Sequence, residues 1–156
     1  METTLKIKEL ISAHEVQVHY KRPVFDSMIK ITSSRQSETI FRKYIDAKRI
    51  DHKEFFWILL LNNSNKLLGL SEISIGNDLG VIVNVKEIFQ LIINTNSSSV
   101  ILCHNHPSGN INPSTNDKLL TSKMIALAEV INVKVLDHII LTSESYFSFA
   151  DNGMMI

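Results

Sequence analysis

The stretch from Ser99 to Asp117 constrains this chain more than any other. It opens with a run from Ser99 to His104 that reads as a buried strand, ending at the motif His104-Asn105-His106-Pro107. It closes with Ser114 and Asp117 at the head of a long helical pattern running to about Ile131. The pattern is H-x-H-P, six residues, then S-x-x-D. At roughly 5% usage per residue type, its five specified positions would recur by chance in about one in twenty thousand chains of this length. A strand, a polar loop and a helix start in that order put two imidazoles and a carboxylate at a strand's C-terminal end, where α/β folds carry their sites.

Alternation along an extended segment sends His104 and His106 to the same face, so both can converge on one ion. Pro107 biases His106 towards extended backbone, and Ser108-Gly109-Asn110 allows a sharp reversal before Asn112-Pro113. Ser114 sits where a helix N-cap belongs, which places Asp117 in the first turn as a third ligand. Neutral imidazole is a good zinc ligand. Three protein ligands leave the fourth tetrahedral position to water, the arrangement of catalytic zinc, and such water is acidified to a pKa of about 7. A base must still move the proton, so an unligated Glu or Asp is required. Ser114-x-x-Asp117 alone is also an ordinary near-capping box, and the histidines alone could be hydrogen-bonded strand-end groups. Only the ensemble favours the metal.

A chain of 156 residues with 44% hydrophobic content is long enough for one buried core and short for two. One domain is expected over 1–156, with an N-terminal extension at 1–32 and a core at 33–153. The formal net charge of +0 provides no whole-molecule field towards nucleic acid or an anionic membrane. Residues 21–53 are locally basic, nine Lys/Arg against four Asp/Glu; a solvated helix face is favoured over a phosphate-binding strip. The one cysteine cannot form an internal disulfide, and Met1 is not followed by a charged-then-apolar leader, so the reducing cytoplasm is expected. The longest apolar run, Phe55 to Leu61, is far short of the roughly 20 residues of a membrane span.

Val16, Val18 and Tyr20 alternate with polar residues and predict an added edge strand over His14–Tyr20. Ser33 or Ser34 caps a helix running to about Ala47, with Ile40, Phe41, Tyr44 and Ile45 on its apolar face. Phe55–Leu61, the turn Asn62–Asn65 and Lys66–Gly76 read as a hairpin. Gly80–Val83 reads as a short strand and Val85–Ile93 as a helix capped by Asn84. Val133–Leu141 and Tyr146–Phe149 are the closing strands. Mixed elements in this order predict a three-layer α/β domain, a mixed β-sheet flanked by helices.

His104-Asn105-His106-Pro107-Ser108-Gly109, then Pro113-Ser114 and Asp117, resembles the bacterial RadC-like family, a branch of the JAB/MPN domains with the JAMM metallopeptidase motif. Leu136-Asp137-His138-Ile139 and Tyr146 to Asp151 resemble the family's closing strands, and the likeness covers roughly Ser34 to Gly153. The resemblance implies a cytidine-deaminase-like architecture and a zinc-dependent hydrolase acting on a peptide or isopeptide bond. It implies His104, His106 and Asp117 as Zn2+ ligands, Ser114 as an oxyanion donor and Glu54 as the catalytic base. Glu54 stands before an apolar strand, 50 residues ahead of His104, where burial at a strand edge could raise its pKa into working range. Glu72, on a less buried strand, is the rival base.

His138 and Asp137 read as satisfied core groups, with support of the metal site as the alternative. Cys103 points away from His104 by strand parity and reads as packing, as do Trp57 and its neighbouring Phe residues. His14, His19 and His52 show no ligand spacing. The competing function is a DNA-repair or mobile-element-associated factor using residues 21–53, whose binding would fall steeply with salt. Longer relatives carry an N-terminal helix-hairpin-helix region that is not expected here, which weakens that reading. A non-catalytic MPN scaffold would typically have lost the ligands. A deaminase needs H-x-E and P-C-x-x-C, which a single cysteine cannot supply. A peptide or protein substrate is the expected partner, and the oligomeric state is left open.

Overall fold

The computed structural model describes residues 17, 19–76 and 82–156. Five strands, β1 (Phe55–Leu61), β2 (Leu67–Ile75), β3 (Ser99–Asn105), β4 (Lys134–Leu141) and β5 (Tyr146–Ser148), form one sheet in the order β2-β1-β3-β4-β5. Only β3 and β4 are parallel; the other neighbours are antiparallel. The parallel pair needs a crossover, which the helix α3 (Thr115–Val130) supplies. Helices α1 (Ser34–Tyr44) and α2 (Val85–Asn94) are the other α-helices among the described residues.

The two central strands, β1 and β3, are buried on both faces, which explains why they read as unbroken apolar runs. One face (Phe56, Ile58, Leu60, Val100, Leu102) packs with Ile88 and Ile92 of α2 and Met124 and Ala128 of α3. The other (Phe55, Trp57, Leu59, Ile101, Cys103, Ile139) packs with Phe41 of α1 and Ile45 and Ile50 beyond it. This is the expected three-layer mixed α/β arrangement. Fully burying each large side chain contributes about 1.5–3 kcal/mol.

Local chemistry sets the boundaries. Asn62 Oδ1 accepts from Ser64 and Lys66 N–H, and Asn65 takes φ 57°, closing the β1–β2 hairpin. Ser33 caps α1 by accepting from Gln36 N–H, and Asn84 caps α2 by accepting from Glu87 N–H.

Three expectations need correction. Helix α1 stops at Tyr44 rather than near Ala47, and its buried face is turned: Ser37, Glu38 and Phe41 are buried while Tyr44 is 71% exposed. Glu38 can lie inward because Arg42 and Arg35 pair with its carboxylate. Of the edge strand expected over His14–Tyr20, Val16 and Val18 lie outside the described residues, and the described Gln17, His19 and Tyr20 are not in a strand. The β2 edge is instead met by Lys30, which bridges to Lys66. Of the strand expected over Gly80–Val83, Gly80 and Val81 lie outside the described residues, and Ile82 and Val83 are irregular chain leading into α2. Among the described residues, no helix is long and apolar enough to cross a membrane.

Candidate metal centre

Strand β3 delivers His104 at its C-terminal end, and the pairing with β4 continues one residue further because His106 N–H donates to Leu141 O at 2.8 Å. Extended geometry is therefore kept through His106, and both imidazoles emerge on the α2/α3 face. Gly109, at φ 79°, then turns the chain, its N–H donating to His106 O. The turn brings Ser114 back as the N-cap of α3. Ser114 Oγ accepts from Asp117 N–H at 3.1 Å, and Asp117 Oδ2 accepts from Ser114 N–H at 2.6 Å, a full capping box. The helix-start reading is borne out, and it is compatible with the ligand reading, because the box orients the Asp117 carboxylate towards the histidines.

One ligand atom from each of His104, His106 and Asp117 lies within 4.8 Å of the others, so these residues can hold a metal ion. His104 Nε2 is 3.3 Å from Asp117 Oδ1, and His106 Nε2 is 3.5 Å from Oδ2. Zinc bonds of roughly 2.0–2.2 Å in a tetrahedron put neighbouring ligand atoms about 3.3–3.6 Å apart; each distance is of that size, one to either carboxylate oxygen. The two Nε2 atoms are closer, 2.9 Å, and repel through their lone pairs unless a cation, proton or metal, lies between them. His106 Nδ1 is 2.6 Å from Asn110 O. A carbonyl only accepts, so Nδ1 carries a proton, and in the neutral ring Nε2 faces the site as a lone pair.

The hydrogen bond to Asp117 pushes the His106 pKa up; burial opposes this, while the Asn110 carbonyl and the charges of Asp117 and Glu54 add to it. Burial pushes the Asp117 carboxyl up, but the bonds from His104 and His106, the His104 charge and the Ser114 bond outweigh it and hold the group far below the carboxylate range. Those bonds are the ones made when Nε2 carries a proton; with the rings neutral, a cation can take the place of the protons beside the Asp117 anion.

A cleft of about 700 Å3 opens over this group, and its lining includes Glu54, Phe56, Ser114 and Leu120. Glu54 therefore shares the cleft with the three ligand groups. Glu72 does not. It pairs with Trp57 on the opposite face of the sheet, where its carboxylate accepts two bonds from Arg49 and one from Trp57 Nε1, each 3.1 Å.

Asn105 was not legible in the sequence as part of the site. Its side chain is fully buried on the α1 face: Oδ1 accepts from Phe55 N–H at 2.7 Å, and Nδ2 donates to Ile50 O at 2.6 Å and Lys53 O at 2.7 Å. The peptide groups on either side of Glu54 are thus tied to the residue between the two histidines. His138 is also buried, its Nε2 2.8 Å from His104 Nδ1 and its Nδ1 2.7 Å from Thr121 Oγ1. Phe56 and Phe149 stack on the His104 and His138 rings respectively. Asp137 has a structural role, accepting from Ser148 Oγ and from the N–H groups of Ala150 and His138.

Cys103 is buried on the face away from His104, and burial pushes its thiol pKa well up. His19 and His52 are exposed and apart from the centre, and His14 lies outside the described residues. In the basic segment 21–53, Arg42 donates to Glu38, Thr142 O and Ser145 O, and Arg49 is held by Glu72 over the Phe55 ring.

Comparison with known proteins gives a match of residues 31–154 to a family model described as RadC-like JAB domain. A UPF0758 protein of Flavobacterium johnsoniae is 40% identical over 149 residues, 96% of this chain and 64% of that protein. One of Clostridioides difficile is 40% identical over 113 residues, 72% and 48% respectively. Another, of Pasteurella multocida, is 33% identical over 128 residues, 81% and 57%. The chain thus spans less than two thirds of the length of these curated relatives.

Proposed function

The chain belongs to the RadC-like JAB domain family, and from that premise we propose that it is a zinc-dependent hydrolase of the JAMM type, cleaving a peptide or isopeptide bond. The observation that carries this reading is the convergence of His104, His106 and Asp117 on the wall of an open cleft that Glu54 and Ser114 also line. Held by those three ligands, a zinc ion supplies Lewis acidity and lowers the pKa of a coordinated water to about 7. Glu54 takes the proton of the attacking water and returns it to the leaving amine. The Ser114 oxygen already accepts from Asp117 N–H, so its own O–H is left to donate to the oxyanion of the tetrahedral intermediate. Phe56 and Leu120 give the cleft apolar walls beside these polar groups.

The nucleic-acid reading has less support, since Arg42 and Arg49 are spent on internal carbonyls and carboxylates. The test is metal stoichiometry and turnover measured together, on protein loaded with zinc and offered fluorogenic peptides joined through amide and isopeptide bonds. His104→Ala and Asp117→Ala should lose the metal. Glu54→Gln should keep it and lose turnover. A wild-type chain that retains no stoichiometric metal after loading refutes the reading.

A further inference from the structure

One of the two metal-facing histidines has its tautomer set by a chain of hydrogen bonds whose far end can point only one way. Thr121 Oγ1 lies 2.6 Å from the backbone carbonyl of Asp117 and 2.7 Å from His138 Nδ1. The carbonyl can only accept, so the single hydroxyl proton of Thr121 goes to it. Thr121 Oγ1 must then accept from His138, which places a proton on His138 Nδ1. His138 is fully buried and its two ring nitrogens meet, among the described residues, only Thr121 and His104, with no carboxylate against either to balance a charge, so the ring is neutral and carries that proton alone. Its Nε2 is a lone pair, 2.8 Å from His104 Nδ1. His104 therefore donates from Nδ1, and its Nε2 is bare where it faces His106 and Asp117.

From this geometry we infer that Thr121 and His138 are positioning residues, forming a relay that locks His104 in the Nδ1–H tautomer and so presents its Nε2 to the metal. The inference rests on the metal reading of the site and adds to it the part that makes one ligand competent. His106 needs only the Asn110 carbonyl for the same purpose. His104 lies deeper, with side-chain exposure of 6% against 13%, and its inner nitrogen meets the His138 ring where His106 has a loop carbonyl. The relay begins on β3, passes through β4 and ends in α3 on the main chain of Asp117, the third ligand. It therefore also ties the helix that carries the carboxylate to the strand that carries the imidazole. An imidazole acceptor adds no negative charge to His104, unlike the carboxylate that often fills this place.

Two measurements test the relay. In metal-free protein at about pH 9, above the histidine range, imidazole 15N–1H correlation spectra should show His138 with its proton on Nδ1 and a bare Nε2. A proton on Nε2 overturns the relay whatever the site binds. Zinc affinity, by competition with a chromophoric chelator, should fall about 10- to 100-fold in Thr121→Val, the loss typical of outer partners of metal ligands. Thr121→Ser, which keeps the hydroxyl, should stay near wild type. His138→Gln, whose amide oxygen can still accept from His104, should retain more affinity than His138→Leu. A generic packing role would not follow the hydroxyl or the acceptor in this way. Equal affinities for Thr121→Val and Thr121→Ser in folded proteins overturn the relay alone. A wild-type chain that binds no zinc overturns the metal reading, and with it the purpose assigned here.

Discussion

Replacing Asn105 by alanine should damage the fold and the proposed chemistry by separable amounts. The side chain is fully buried and makes three hydrogen bonds of 2.6–2.7 Å, to Phe55 N–H and the carbonyls of Ile50 and Lys53. At about 1 kcal/mol net for each, the loss is about 3 kcal/mol, more if the three backbone groups stay dry. A chain of this size shifts its Tm by about 2–4 °C per kcal/mol, so the drop should be about 6–12 °C, read by circular dichroism. The freed groups flank Glu54, whereas His104 and His106 leave the other face of the strand. Zinc stoichiometry should therefore survive at temperatures where Asn105→Ala is folded, while kcat falls because the base has lost its clamp. A Tm within about 2 °C of wild type, less than one lost hydrogen bond accounts for, would refute the clamp. Loss of metal in the folded variant would refute the separation of base from ligands.

Ser114→Ala removes the cap of α3 and should cost about 1 kcal/mol in urea denaturation, together with a roughly 10²- to 10³-fold fall in kcat if the hydroxyl serves the oxyanion; Ser114→Thr should recover the stability. Burial holds the folded-state pKa of His138 well below its ordinary value. The unfolded chain takes up a proton below about pH 6.5 that the folded chain refuses, so this group makes stability fall as pH falls, by up to about 1.4 kcal/mol per pH unit. His106, with its raised folded pKa, contributes its stability in full below that pH and loses it only as pH rises through the raised value, so it adds no slope in the acid window. Denaturation of metal-free protein at several pH values between about 5 and 6.5 should show His138→Gln with a slope shallower by close to one proton; equal slopes contradict it. Cys103, buried with a raised thiol pKa, should react with a thiol reagent only at the rate of unfolding, and labelling faster than unfolding would show that the α1 face opens.

What the sequence made legible was whatever depends on short-range pattern. The strand from Ser99 (which runs one residue past the expected His104), Val85 and Asn84, and the Ser114 cap stand where periodicity and capping chemistry put them, because each boundary is set by residues within four positions of it. The convergence of His104, His106 and Asp117 was legible for the same reason, since strand parity and one turn of helix fix it. The turned face of α1 was not, because it follows from Glu38 being drawn inward towards Arg42, whose other donors reach Thr142 and Ser145 across the fold. The resemblance put Glu54 ahead of Glu72, but where the Glu72 carboxylate goes instead was hidden. It turns on the β1–β2 register, in which Trp57 faces Glu72, and on the Arg49 guanidinium. The partner of His138 was invisible because it lies 34 positions away.

Strand parity also explains why a single tripeptide can organise the whole centre. Along His104-Asn105-His106 the side chains alternate, so the outer two reach the α2/α3 face and the middle one the α1 face. On the first face the imidazoles meet Asp117, carried by the crossover helix. On the second, the Asn105 amide holds the peptide groups that flank Glu54. Glu54 precedes β1 by one residue and shares the parity of Phe56, which pairs with His104 across the sheet; its carboxylate is therefore directed into the cleft with the ligands although its backbone is fastened from behind. Glu54, the proposed base, is held at the start of β1 by Asn105 and not by α3, so substitutions in α3 should alter metal affinity without moving Glu54. Changes at Asn105 should do the reverse.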